Sequence, residues 1–181
     1  TGAGHPEYTP EEDLNMIRLL TAFAALVFAL PVWASELGDD GLHKAAWFQD
    51  TFKDLQEDQA EAQAEGKQLL LIVEQRGCLY CKDMHEGAFM DARVLELLSD
   101  VYYPVQINLH GDTEMVDTDG EALSEKNAAR KWGVLFTPTM VFLPPEVDFT
   151  KPATHQAEIL KQLADYAGTT LDLMTCFLEH S

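Results

Sequence analysis

The stretch Leu69-Leu70-Leu71-Ile72-Val73 runs, through Glu74-Gln75-Arg76-Gly77, into Cys78-Leu79-Tyr80-Cys81. Five apolar residues without polar alternation are the pattern of a short strand buried on both faces. From Tyr80 to Leu98 the spacing changes to that of a helix, with Met84, Ala88, Phe89, Val94, Leu95 and Leu98 on one side. That helix is expected to bend near Gly87 or to restart at Asp91, whose side chain suits an N-cap. The cysteine pair therefore sits where a buried strand becomes a helix.

Working outward, Trp47, Phe48, Phe52, Leu55 and Ala62 recur at helical spacing among polar residues, which predicts an amphipathic helix over 47–64 stopped by Gly66. Tyr102 to Leu109 is rich in Tyr, Val and Ile and reads as a second central strand. Asp119-Gly120, within Val116 to Glu121, signals a tight turn and a small hairpin. Ser124 then caps a short helix through Trp132, ended by Gly133. Val134 to Leu143 includes a strand with Thr137-Pro138 at its entrance rather than inside it. Pro144, Pro145 and Pro152 mark a loop, residues 156–167 are expected to be helical, and Thr169 to Glu179 forms a closing helix. No closing strand is evident in 144–168. The alternation defines an α/β fold, with helices on both faces of a small sheet.

The 181 residues, 46% of them hydrophobic, are enough for one domain. Thirty-one acids against twelve bases give a net charge of −19, and that field excludes a nucleic-acid partner. Met16-Ile17-Arg18 precedes an apolar run from Leu19 to Leu30, then Pro31-Val32-Trp33-Ala34. A basic start, a short apolar core and small residues before Ser35 make 16–34 a secretory signal peptide cleaved after Ala34. The run is too short to cross a bilayer, so no stable membrane insertion is expected after cleavage. Residues 1–15, with Glu7, Glu11, Glu12 and Asp13, are read as upstream sequence without a structural role. Cleavage removes four acids and one base, leaving a single acidic domain, 35–181, expected to be periplasmic and monomeric.

At the start of a helix, Cys78 meets unpaired N–H groups and the positive end of the dipole. Both favour its thiolate, and it is expected to face solvent as the attacking sulfur. Cys81, one turn further in, is expected to resolve the resulting mixed disulfide. Other uses of the pair fit less well. A zinc site needs more ligands than Cys78, Cys81 and a nearby His85. A covalent haem site needs His where Lys82 stands. A structural disulfide closing so short a loop stabilises little. Cys176 reads as a small buried hydrophobe on the last helix, and Met84 and Met90 as packing residues. Asp112, Asp117, Asp119 and Glu121 lack the ligand series of a calcium loop. No metal and no cofactor beyond the cysteine pair are assigned.

A strand leading into Cys-x-x-Cys at a helix start, with Thr137-Pro138 before a later strand, resembles the thioredoxin superfamily over most of residues 45–143. The fuller pattern is Glu74 to His85, with Asp119 to Lys126 and Ala129 to Val134, and it resembles the SoxW/SoxS-type periplasmic thioredoxins of bacterial sulfur oxidation. The resemblance implies a thioredoxin-like fold with a small central mixed sheet, a cis bond at Pro138, and a Thr137 backbone that pairs with a client's extended chain. It also implies a protein-disulfide reductase recharged by a membrane thiol-electron transporter. The clients would be oxidised protein thiols, a sulfur-carrier protein among them. Thioredoxin proper has a buried Asp six residues before the first Cys, and here that position is Ile72. Glu74, and His85 one turn beyond Cys81 on the same helical face, are the groups near enough to handle the Cys81 proton. A His there is similar to the DsbC-type reductase-isomerases. The readings carried beside the reductase are an oxidase or isomerase, the latter ranked lower because 35–181 leaves no room for a dimerisation domain, and a metal chaperone using Cys78, Cys81 and His85.

Overall fold

The computed structural model describes residues 36–161, without the side chains of 158–161. The signal segment 16–34, residues 162–167, the closing helix over Thr169 to Glu179 and Cys176 lie outside the described residues. In chain order the elements are a hairpin of β1 (Glu36–Leu37) and β2 (His43–Lys44), then α1 (Leu55–Ala64), β3 (Gln68–Glu74), α2 (Leu79–Glu86), α3 (Ala92–Asp100) and β4 (Tyr102–Asn108). A second hairpin of β5 (Glu114–Val116) and β6 (Ala122–Ser124) follows, then α4 (Glu125–Lys131), β7 (Thr139–Phe142) and β8 (Glu158–Lys161).

The main sheet has the order β4-β3-β7-β8, with β3 parallel to β4 and antiparallel to β7, so it is mixed. Period-two alternation along β3 explains why its run is apolar throughout. Leu69, Leu71 and Val73 pack with Leu55 and Ala62 of α1 and Ala128 and Ala129 of α4 on one face. Leu70 and Ile72 pack with Met84 of α2 and Val94 and Leu98 of α3 on the other. The helices thus lie on both faces, as the alternation predicts.

Four expectations are corrected. The first helix begins at Leu55, not Trp47, because Asp54 supplies the N-cap and accepts from the backbone N–H groups of Gln56 and Glu57. Trp47 and Phe48 precede it in irregular chain and pack against the α2/α3 face, while Phe52 is exposed. Ser124 stands at the N-cap of α4 without a side-chain capping hydrogen bond. Residues 158–161, expected as helix, are β8, which pairs antiparallel with β7 from Thr139↔Lys161 to Phe142↔Glu158 and supplies the missing closing strand. An edge strand needs little periodicity of its own when a buried neighbour dictates its hydrogen bonding.

The break in the second helical stretch falls where expected. A 3-10 turn at Ala88–Met90 follows Gly87, and Asp91 caps α3 by accepting from Arg93 N–H. The Asp119-Gly120 turn closes the β5–β6 hairpin, with the Gly120 N–H donating to Asp117 O at 2.9 Å. Buried Asp117 ties this region together, accepting from Trp132 Nε1 at 3.0 Å and from the Ala153 N–H at 3.1 Å, with Lys131 Nζ at 2.8 Å.

Asp58, on the inner side of α1, is 2% exposed. Burial pushes its carboxyl up to about 7, against the Thr51 hydrogen bond and with help from Glu61, Asp54 and Glu57. A native pKa above the unfolded one means a contribution that is fully present below about pH 4 and lost as pH rises through about 7. Asp58→Asn is expected to match the wild type in thermal stability below about pH 4 and to exceed it by about 1–3 kcal/mol at pH 8. Melting curves across that range check this, and a difference that does not change with pH would contradict it.

Candidate active site

The C-terminal end of β3, the start of α2 and the entrance of β7 meet at one point. Gly77 makes the turn from strand to helix at φ +73°, a left-handed conformation that glycine adopts without strain. Cys78 follows at the N-cap of α2 and forms a disulfide with Cys81, one turn into the helix. Two neutral donors point at the Cys78 sulfur: the Cys81 backbone N–H at 3.0 Å and the Thr137 hydroxyl at 3.3 Å. The Thr137 carbonyl oxygen lies 3.6 Å from the same atom. The Thr137–Pro138 bond is cis.

The register of the sheet accounts for that contact. Val73 of β3 faces Thr139 of β7 in an antiparallel pair, so the residues just before β7 lie beside the residues just after β3. Thr137 thereby comes to Cys78 across 59 residues of chain. This cover makes Cys78 only 8% exposed, less open than a sulfur facing solvent, while Cys81 is buried as expected at 1%. The flanking surface is apolar, with Leu79, Tyr80, Leu135 and Phe136 all exposed.

At the end of β3, Glu74 meets His85 of α2. Both are about 1% exposed, and His85 Nε2 lies 2.9 Å from Glu74 Oε1. The rings of Phe89, His43 and Phe48 surround the imidazole, with centroids 5.0, 5.3 and 5.6 Å away. A buried carboxylate and imidazole in an apolar enclosure persist only when each satisfies the other. All six expected site residues, Glu74, Cys78, Cys81, His85, Thr137 and Pro138, thus belong to one end of the sheet. Sequence reading missed Gln106, which donates through Nε2 to Glu74 Oε2, and the exposed Leu135-Phe136 pair before Thr137. A lone Gln inside the apolar run of β4 was the available signal for the first. Among the described residues, no group of three or more His, Cys, Asp or Glu side chains is arranged to hold a metal.

Residues 55–168 match the family described as the thioredoxin-like domain, and the chain belongs to that family. Among solved structures it is similar to a thioredoxin from Thermus thermophilus, at 22% identity and TM-score 0.40 over 56% of this chain and 77% of that one. It is also similar to a disulphide isomerase from Xylella fastidiosa Temecula1, at 11% identity and TM-score 0.46 over 71% and 92% of the two chains. The DsbH oxidoreductase matches at 9% identity and TM-score 0.47 over 87% of this chain and 99% of that one. At these identities the likeness concerns the fold. No curated protein matches the chain significantly. A thioredoxin-like domain with a Cys-x-x-Cys disulfide at a helix start has the equipment of a thiol-disulfide oxidoreductase.

The Thr137 hydroxyl donates towards a sulfur that becomes charged on reduction, and a hydrogen bond to a charged group contributes about 1.5–3 kcal/mol. Thr137→Val keeps the shape and removes the donor. The Cys78 thiol of the reduced variant is expected to titrate about one unit higher, read from thiolate absorbance. An unchanged midpoint would show that the hydroxyl has no part in stabilising the thiolate.

Proposed function

We propose that the protein is an exported thiol-disulfide oxidoreductase working as a protein-disulfide reductase in the periplasm. The observation that carries the chemistry is the Cys78–Cys81 disulfide, with Cys78 at the N-cap of α2 and two donors aimed at its sulfur. In the reduced protein those donors and the helix dipole stabilise a Cys78 thiolate. The thiolate attacks a client disulfide and forms a mixed disulfide. The Cys81 sulfur then bonds to Cys78 and displaces the client as a thiol. Two electrons pass from the cysteine pair to the client.

What lies around the sulfur supports electron donation. Both donors are neutral, and the residues between the cysteines, Leu79 and Tyr80, carry no charge. On an acidic protein of net charge −19, a thiolate whose two donors are neutral is stabilised only moderately. Moderate stabilisation of the reduced form leaves the disulfide form favoured, which is the property of an electron donor. The apolar surface of Leu79, Tyr80, Leu135 and Phe136 suits docking of an extended client segment beside Thr137.

Export rests on the signal-like segment 16–34, and among the described residues no helix is long and apolar enough to cross a membrane. A periplasmic reductase needs electrons from across the inner membrane, and a membrane thiol-electron transporter is the partner that supplies them. The resemblance to SoxW/SoxS-type thioredoxins suggests a sulfur-carrier protein of thiosulfate oxidation as client.

Equilibration in defined thiol-disulfide buffers, with alkylation and mass measurement, tests this reading. A potential near or below about −200 mV is expected, and one near about −120 mV would make the protein a disulfide donor instead. In the same assay system Cys78→Ser is expected to abolish turnover and Cys81→Ser to accumulate the mixed disulfide.

A further inference from the structure

The orientation of the Gln106 amide is fixed by what surrounds it. Lys44 Nζ, which can only donate, lies 2.6 Å from Oε1. The His43 carbonyl, which can only accept, lies 2.7 Å from Nε2. The same Nε2 donates its other hydrogen to Glu74 Oε2. Glu74 therefore meets His85 on one oxygen and Gln106 on the other. Lys44 is itself held by Asp40, at 2.7 Å. Burial pushes the Asp40 carboxyl up, but the hydrogen bonds from Lys44 and the Leu42 N–H outweigh it and hold the group below its usual range. The β1–β2 hairpin is thus wired to the buried acid through one amide.

The topology brings this network to the helix that carries Cys81. Gln106 faces Ile72 in the parallel register of β3 and β4, on the α2/α3 face of the sheet, and Glu74 is two residues further along the same face of β3. His85 is one turn beyond Cys81 on α2, and both are buried. Cys81 carries a thiol proton that must leave before its sulfur can attack, and at 1% exposure bulk water is poorly placed to take it.

We infer that Gln106 is a positioning residue for the exchange reaction, holding Glu74 in place against His85 so that this pair takes the Cys81 proton, with the Lys44 end of the β1–β2 hairpin as the outlet to solvent. The inference rests on the reading of Cys81 as the resolving thiol. In that step Cys81 gives its proton to the Glu74–His85 pair, and its sulfur bonds to Cys78 Sγ. The bond between Cys78 Sγ and the client sulfur breaks, and the client thiolate leaves and is protonated. The two cysteines lose two electrons and the client disulfide gains them. The charged and titratable groups near Glu74 include His85 from α2, His43 and Lys44 from β2, Asp40 behind Lys44, and Arg76, which donates to the Asp39 and Asp40 carbonyls of the hairpin, while Gln106 is the polar group from β4. Lys82, Asp83 and Glu86 of α2 are exposed, and Lys82 pairs with Glu86.

Gln106→Met keeps the length of the side chain and removes all three hydrogen bonds. The full chain, reduced, is mixed with a fluorogenic disulfide peptide between pH 5 and 9. Attack by Cys78 is timed in a Cys81→Ser background, and resolution by release of the second peptide thiol with Cys81 present. Gln106→Met is expected to leave attack within about two-fold, to slow resolution about ten-fold at pH 7, and to move the acid limb of the resolution profile up by about one unit. The sign follows from the loss of a donor to a carboxylate, which raises its pKa. Lys44→Met is expected to move the limb in the same direction by less. A lowered melting temperature with an unshifted limb would mean that Gln106 only packs, and would overturn the inference. If Gln106→Met does not fold, Lys44→Met decides, and an unshifted limb there overturns it equally. Turnover surviving in Cys78→Ser would instead overturn the oxidoreductase reading, whereas normal exchange that ignores Gln106→Met removes the relay alone.

Discussion

The antiparallel pairing of β3 with β7 is the constraint on which the site depends. β3 is hydrogen-bonded on both edges and covered on both faces, so its position and register are fixed from four sides. A one-residue slip against β7 would send Ile72, Val73 and Glu74 to the opposite faces, where they no longer fit the side chains packed against each face. That register is also what carries Thr137 to Cys78. The energy that specifies the contact is therefore spent in the core, and the exchange centre inherits its geometry from hydrophobic burial. The same strand carries Glu74 at its last position, so the thiol chemistry and the buried acid share one rigid support.

Charge is handled differently at the two depths of the site. Towards the rim, the Cys78 sulfur is met by two neutral donors and flanked by exposed apolar side chains. Beneath it, Glu74 and His85 are enclosed by aromatic rings, where weak screening makes each hydrogen bond count for more. A carboxylate in such a place must be fully satisfied or it takes up a proton. Gln106 supplies the second satisfied oxygen, and its own remaining atoms are satisfied by the hairpin, so the network closes without an unpaired member. A small N-terminal hairpin that would otherwise be marginal in isolation is held by the same contacts.

The strand-to-helix passage was legible because every local signal agreed. The apolar run of β3, the glycine turn, the cysteine pair and the helical spacing after it all point to one arrangement, and the structure has it. The six candidate site residues were legible for a different reason, as residue types with specific chemistry placed near that passage or before a strand. What escaped was set by partners distant in sequence. Nothing local marks 158–161 as a strand, since β8 is specified by the open edge of β7. Trp47 and Phe48 mimic a helical stripe, but their burial comes from Phe89 and its neighbours. Gln106 is separated from Glu74 by 32 residues and from His43 by 63, so its role exists only after the sheet and hairpin have formed.

Ile72 shows how such a site can be rearranged without losing its logic. The position six residues before Cys78 is Ile72, which packs in the α2/α3 core, so this chain has no acid at that point. Glu74, on the same face two residues on, is close enough to the end of the strand to reach His85 one turn past Cys81. An acid placed there cannot rely on depth alone, because the end of a sheet is near solvent. It needs a cover, and the β1–β2 hairpin with Phe48 and Phe89 provides it. The hairpin and the acid are therefore coupled features: each gives the other its reason to be in place.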